Sequence, residues 1–248
     1  MIKLLKYDWK RNSSPVMGII AVLLIIQISI TTVGTMRNWE IGVMLVLSML
    51  AYSAVSMILF VMVCRTFDQN IKAYNRRLLP VRPINSIFSS LIQSFISLLG
   101  IMLLVVLHLW IYITMEDGDR FIVWGGLTTE GMVATGLAAV WKFTFIIIVI
   151  FFCITVSRAV RVKGNIWIGI ILFFVIMNAI SWLESKLEMA GTIWVAPMFT
   201  VYIEEGGSST PVMNDTIQIP WMPLVLEMLL AAGFIYGMVK LIDRKIEV

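Results

Sequence analysis

Of 248 residues, 60% are hydrophobic and only 14% charged, with a mean hydropathy of +0.94; a soluble domain runs nearer half apolar and a quarter charged. So little polar surface cannot cover one soluble core of this length, which excludes an ordinary soluble domain and points to a polytopic membrane protein. The net charge of +4 is then a matter of asymmetry between loops, not a nucleic-acid signal.

The chain opens with MIKLLKYDWKRNSSP. Ile2, Leu5 and Trp9 recur at i, i+3, i+7, while Lys3, Lys6 and Lys10 occupy another face. The pattern fits a basic amphipathic helix lying in the membrane interface over residues 1–15; it fits equally a plain basic anchor before a first span. Asn12-Ser13-Ser14-Pro15 is expected to break that helix and turn the chain into the membrane.

Six segments are long enough to cross a bilayer core of about 30 Å at ~1.5 Å per residue. They are Val16–Gly34, Ile41–Val63, Ile87–Thr114, Gly131–Val156, Ile166–Leu183 and Trp221–Val239. The expected fold is all-α, in one membrane domain over residues 1–248 with no internal repeat. The first span is too long for a signal-peptide core and no A-x-A-like site follows it.

Between the second and third spans lies CRTFDQNIKAYNRRLLPVRPINS, residues 64–86, with five Arg or Lys and one acid. Phe67, Ile71, Tyr74 and Leu78 recur at i, i+4, i+7, i+11, one stripe of a helix. Lys72, Asn75 and Arg76 lie off it. Pro80 should end this helix, and Pro83 should keep the chain extended before the third span. The apolar stripe rests on lipid or on a partner protein.

The 184–220 stretch between the fifth and sixth spans is long for a loop. Its middle, TIWVAPMFTVYI (Thr192–Ile203), is apolar but too short to cross, as a re-entrant or interfacial segment would be. A structural cap over the bundle is the other reading.

Basic residues gather on one side of these spans: Lys3, Lys6, Lys10, Arg11, Arg65, Lys72, Arg76, Arg77, Arg82, Arg158, Arg161, Lys163, Lys240, Arg244 and Lys245, or 15 of the 19. The other side holds Arg37, Arg120 and Lys186 together with ten of the fifteen acids. The positive-inside rule places both termini and the 64–86 loop in the cytoplasm. Seven of the nine tryptophans, Trp39, Trp110, Trp124, Trp141, Trp182, Trp194 and Trp221, fall near the outer boundary, where indole prefers to lie.

Enzyme signatures are absent from the sequence. No G-x-x-x-x-G-K-[ST] loop is present to hold ATP phosphates, and the single histidine, His108, excludes H-E-x-x-H zinc chemistry. No metal or cofactor site is expected on this chain. Cys64 and Cys153 sit near cytoplasmic span ends, where packing is the ordinary use of a thiol. Three ionisable groups lie inside spans: His108, Lys142 and Glu227. An ionised side chain at mid-bilayer costs about 2.5–3.5 kcal/mol on insertion scales. Lys142 either snorkels outward past Trp141 or pairs with Glu227 across the fourth and sixth spans; a transport or proton role is the third reading. Gly233 and Gly237 form a G-x-x-x-G that permits close helix approach.

The whole chain resembles the type-2 family of ATP-binding-cassette (ABC) export permeases. Those proteins combine a basic elbow helix, six spans, a cytoplasmic coupling helix between spans two and three, and an outer re-entrant region between spans five and six. Here the elbow would be Ile2–Arg11, the coupling element Phe67–Leu79, and the outer element Thr192–Ile203. LLPVRPINS (Leu78–Ser86) is similar to the family's LLPVSRxEI run, with Arg82-Pro83 where Ser-Arg is usual. The resemblance implies a permease subunit exporting an amphipathic or hydrophobic substrate, coupled through Phe67, Ile71, Tyr74, Arg76, Arg77, Leu78 and Pro80 to separate ATPase subunits that bind ATP and magnesium. A second permease copy or a related permease would complete the assembly in the cell membrane. The alternative is a non-transporting membrane anchor or immunity-type protein that binds a peptide or lipid.

Overall fold

The computed structural model describes residues 2–71, 83–115, 122–123, 129–160, 165–186, 200–201 and 221–243. Among them are six α-helices: α1 Ile2–Met36, α2 Ile41–Asn70, α3 Pro83–Met115, α4 Thr129–Ala159, α5 Asn165–Lys186 and α6 Trp221–Leu241. Each is long and apolar enough to cross a membrane. The protein is an all-helical polytopic membrane protein, apart from one two-residue ladder: β1 (Ile122–Val123) pairs antiparallel with β2 (Thr200–Val201), Ile122 opposite Val201.

The chain forms two compact units, Met1–Glu116 and Asp117–Val248, where the sequence reads as one domain. In the first, α1, α2 and α3 pack against one another; in the second, α4 packs against both α5 and α6.

The turn from α1 to α2 shows how local chemistry sets these bounds. Asn38 stands at φ 51°. Its N–H donates to the Thr35 carbonyl at 3.3 Å, and the Trp39 N–H reaches the Gly34 carbonyl at 2.9 Å. This is a Schellman closure with asparagine at the left-handed position. Gly34 serves a second purpose, since a Cβ there would collide with the buried side chain of Met44 on α2.

Three expectations are corrected. The first concerns the elbow. Asn12–Pro15 does not break the chain: α1 is one helix of 35 residues with Pro15 inside it. Pro15 takes one backbone donor out of the ladder. Side-chain bonds to α2 from Arg11 and Asn12 hold the turn that precedes Pro15 in place. The second concerns the coupling helix. No new helix begins at Phe67, because α2 runs on to Asn70 and closes where the Ile71 N–H donates to the Phe67 carbonyl at 3.1 Å. The third is Pro83, which opens α3 instead of extending the chain; a first helical position suits proline, whose missing N–H would have no intrahelical partner there. Of the expected re-entrant segment, only Thr200 and Val201 lie among the described residues, and they are extended and paired.

The first unit's apolar core centres on Leu23 of α1 with Val55 and Leu59 of α2, flanked by Ile101 and Leu104 of α3. In the second unit α4 supplies most of it: Phe145, Ile147, Ile148, Val149 and Phe151 are all buried. Large apolar side chains such as Ile25, Leu103, Ile171 and Leu229 remain exposed, as lipid-facing residues should. Hydroxyls within the spans return to their own helix: Ser29 donates to the Ile25 carbonyl, Thr32 to Ile28 and Thr144 to Val140, at 2.7–2.8 Å. A span must satisfy its polar groups internally, and these bonds do so without a partner helix.

Candidate functional site

Two buried polar clusters stand out, one in each unit. The first is built around Asp8, the sole acid in the first 39 residues and fully buried. Its Oδ1 accepts from Arg11 Nη2 at 3.3 Å, one helical turn on. Its Oδ2 accepts from Asn70 Nδ2 at 2.9 Å and from Ser89 Oγ at 3.2 Å. Arg11 Nη2 also donates to Asn70 Oδ1 at 3.4 Å, and one turn back along α2 Asn12 Nδ2 donates to Thr66 Oγ1 at 2.8 Å. One carboxylate therefore ties the start of α1 to the end of α2 and the start of α3. A cation beside it and two further donors offset part of the cost of burying this carboxylate.

Asn70 and Ser89 flank the 72–82 stretch, which holds four of the five basic residues of the 64–86 segment, so the latch fixes both stems of that stretch. Phe67 and Ile71, the first two residues of its apolar stripe, are buried against the rest of the chain and cannot form an exposed stripe. Tyr74, Arg76, Arg77, Leu78 and Pro80 lie outside the described residues. Beyond Ser89, the buried face of α3 stays polar through Ser90, Gln93 and Ser94.

The second cluster joins three helices. Lys142 Nζ of α4 pairs with Glu227 Oε1 of α6, and Trp141 Nε1 donates to Glu227 Oε2 at 2.8 Å. Glu227 is 1% exposed while the Lys142 side chain keeps 29%, so the carboxylate is the deeper partner. Glu184, at the C-terminal end of α5, lies near enough to interact electrostatically with both Lys142 and Glu227. Of the alternatives for Lys142, the pair is the one formed. Trp141, placed at the boundary by composition, also acts as a hydrogen-bond donor.

His108 sits edge-on to Tyr52, ring centroids 5.8 Å apart at 88°, and the Tyr52 hydroxyl donates to the Leu104 carbonyl at 3.5 Å. This is an α2–α3 contact within the first unit. The two glycines of the G-x-x-x-G part company. A Cβ on Gly237 would lie 3.2 Å from the Phe152 ring of α4, whereas one on Gly233 would meet nothing within 4 Å. Gly237 therefore serves an internal seam. A comparable close approach, invisible as a motif, occurs at Gly169 of α5, where a Cβ would come within 3.3 Å of Ser157 Cβ and 3.5 Å of the Cys153 carbonyl oxygen. Cys64 and Cys153 are free thiols. Among the described residues no group of three potential metal ligands is found.

The chain matches no family model, no curated protein and no solved structure.

Proposed function

We propose that this chain is the membrane-spanning permease subunit of an ABC exporter that moves an amphipathic or hydrophobic substrate with energy from a separate ATPase. The observation that carries the reading is the Asp8 latch beside the basic loop. A loop that passes on the movement of an ATPase needs stems that move as one body. Here Asn70, ahead of the 72–82 stretch, and Ser89 after it hold the same carboxylate. Six spans, the basic asymmetry of the loops and the Leu78-Leu79-Pro80-Val81 run support the same reading. With Phe67 and Ile71 buried, the docking surface falls to Tyr74, Arg76 and Arg77. Both termini and this loop then face the cytoplasm of a cell membrane, and two permease chains assemble with two ATPase chains.

The test is co-purification. Arg76→Glu with Arg77→Glu, or Tyr74→Ala, should lower recovery of the ATPase with the permease at least several-fold, while membrane insertion stays normal. Cysteine labels at Ser208 should react from outside, and at Asn75 only after permeabilisation. Unchanged ATPase recovery and transport in all these variants would instead support the non-transporting anchor or immunity-type protein.

A further inference from the structure

Hydroxyls inside the spans return to a carbonyl of their own helix at Ser29, Thr32 and Thr144. Ser48 of α2 departs from that habit. It is 3% exposed, and its Oγ has no hydrogen-bond partner among the described residues. Across the α1–α2 seam stands Gln27, as deeply buried. Its Nε2 donates to the Ser48 backbone carbonyl at 3.2 Å, while its Oε1 meets no donor among the described residues. One bonded pair of residues therefore carries two unmet polar atoms: an amide oxygen that accepts, and a hydroxyl that can donate or accept. Turning the amide round does not satisfy them, because Oε1 would then face the Ser48 carbonyl, acceptor against acceptor. Unpaired groups of this kind bear their full desolvation cost, and no bulk water reaches the middle of a bilayer to relieve it. The wall of α2 is small at this level: Ala51, one turn beyond Ser48, packs against the Leu23, Val55 and Leu59 core.

We propose that Gln27 and Ser48 hold one buried water molecule between α1 and α2, which accepts from the Ser48 hydroxyl and donates to Gln27 Oε1. Both side chains are neutral, so the site suits a small neutral ligand and not an ion, and two firm partners are enough to retain a water. The bridge also sets the register of the two helices. Near their other ends Asn12 bonds to Thr66. Gln27 lies fifteen residues further along α1, roughly 22 Å away, and the seam between is apolar around Leu23, Val55 and Leu59. Apolar contacts alone specify sliding weakly, whereas a buried polar group with one possible partner specifies it strongly. The water makes the Gln27–Ser48 contact a second fixed point on this seam, whatever the chain transports.

The test is water-edited solid-state NMR of the full chain in lipid bilayers, with glutamine side chains isotopically labelled on nitrogen, run alongside thermal unfolding. The Gln27 side-chain amide, identified by its loss in Gln27→Met, should receive magnetisation from water despite its burial. Ser48→Ala should cut that transfer at least several-fold. This variant keeps the bond to the residue 48 carbonyl, so the sign of its effect on stability is informative. With water bound, loss of the hydroxyl should lower the unfolding midpoint by about 2–4 °C; with a dry, unpaired hydroxyl, alanine should raise it. No transfer in wild type, transfer that Ser48→Ala leaves unchanged, or a raised midpoint in Ser48→Ala overturns the proposal. Should Gln27→Met fail to insert, Gln27→Asn identifies the resonance instead, since it moves the amide signal without removing it.

Discussion

The two buried clusters make different use of a carboxylate. Asp8 sits among three donors: one guanidinium, one amide and one hydroxyl, from α1, α2 and α3. Glu227 takes one ammonium and one indole from two neighbouring residues of α4. The first arrangement ties three helices through one carboxylate and suits a fixed joint. The second bonds two helices, α4 and α6, and is the lesser joint. Burial alone does not separate them, since Asp8 and Glu227 are both about fully buried. The difference lies in how many helices share the carboxylate through hydrogen bonds.

Breaking the fixed joint should have the largest effect. Asp8→Ala removes the shared acceptor and leaves Arg11, Asn70 and Ser89 without it. Loss of one partner from a buried ion pair costs about 3–5 kcal/mol in soluble proteins. Arg11 keeps 28% of its side-chain exposure, so the lower end of that range, about 3 kcal/mol, is expected. Thermal unfolding in detergent should show the loss, and limited proteolysis should open the 72–82 loop. A midpoint equal to wild type would mean that the stems are held by apolar packing instead.

The second joint should break more gently. Lys142→Met and Glu227→Gln should each lower stability, and the double variant should lose less than the two losses added. Coupling of polar pairs within membranes averages about 0.6 kcal/mol and rarely exceeds about 1.7. A coupling of zero in the double-mutant cycle would mean that the pair contributes nothing and that Lys142 is held by lipid headgroups.

These clusters also mark where the sequence was legible. Span positions were, because length and apolarity are local properties: five of the six expected spans begin within five residues of a helix start, and all six end within seven of a helix end. The Lys142–Glu227 pair was readable as one of two options, because an intramembrane charge demands an explanation. Asp8 was not, since a lone acid among lysines looks like an ordinary i,i+3 partner; its partners Asn70 and Ser89 lie 62 and 81 residues away. Glu184 was hidden by a boundary. The expected span stopped at Leu183, so Glu184 counted as loop, whereas α5 continues through Lys186. Pro15 misled in the opposite direction. Proline predicts a break from local sterics, while the bonds that keep α1 whole come from another helix.

The smallest expected effect separates the two glycines of α6. Glycine inside a helix costs about 0.5–1 kcal/mol relative to alanine through backbone freedom, so each Gly→Ala change begins with that gain. At Gly233 the added methyl meets open space, and the gain should survive. At Gly237 the methyl lies 3.2 Å from Phe152 Cε2. That ring is itself stacked at 4.9 Å on Phe234 of α6, so it has little room to swing aside, and the strain should cancel the gain or outweigh it. Gly233→Ala is therefore expected to raise thermal stability slightly and Gly237→Ala to leave it level or lower it. Gly237→Leu, whose side chain cannot fit against Phe152, should be the worst of the three. If instead Gly233→Ala is the damaging change, the open face of α6 is covered by another chain, and the G-x-x-x-G marks a contact between copies after all. Cross-linking at Gly233→Cys would then show the dimer directly.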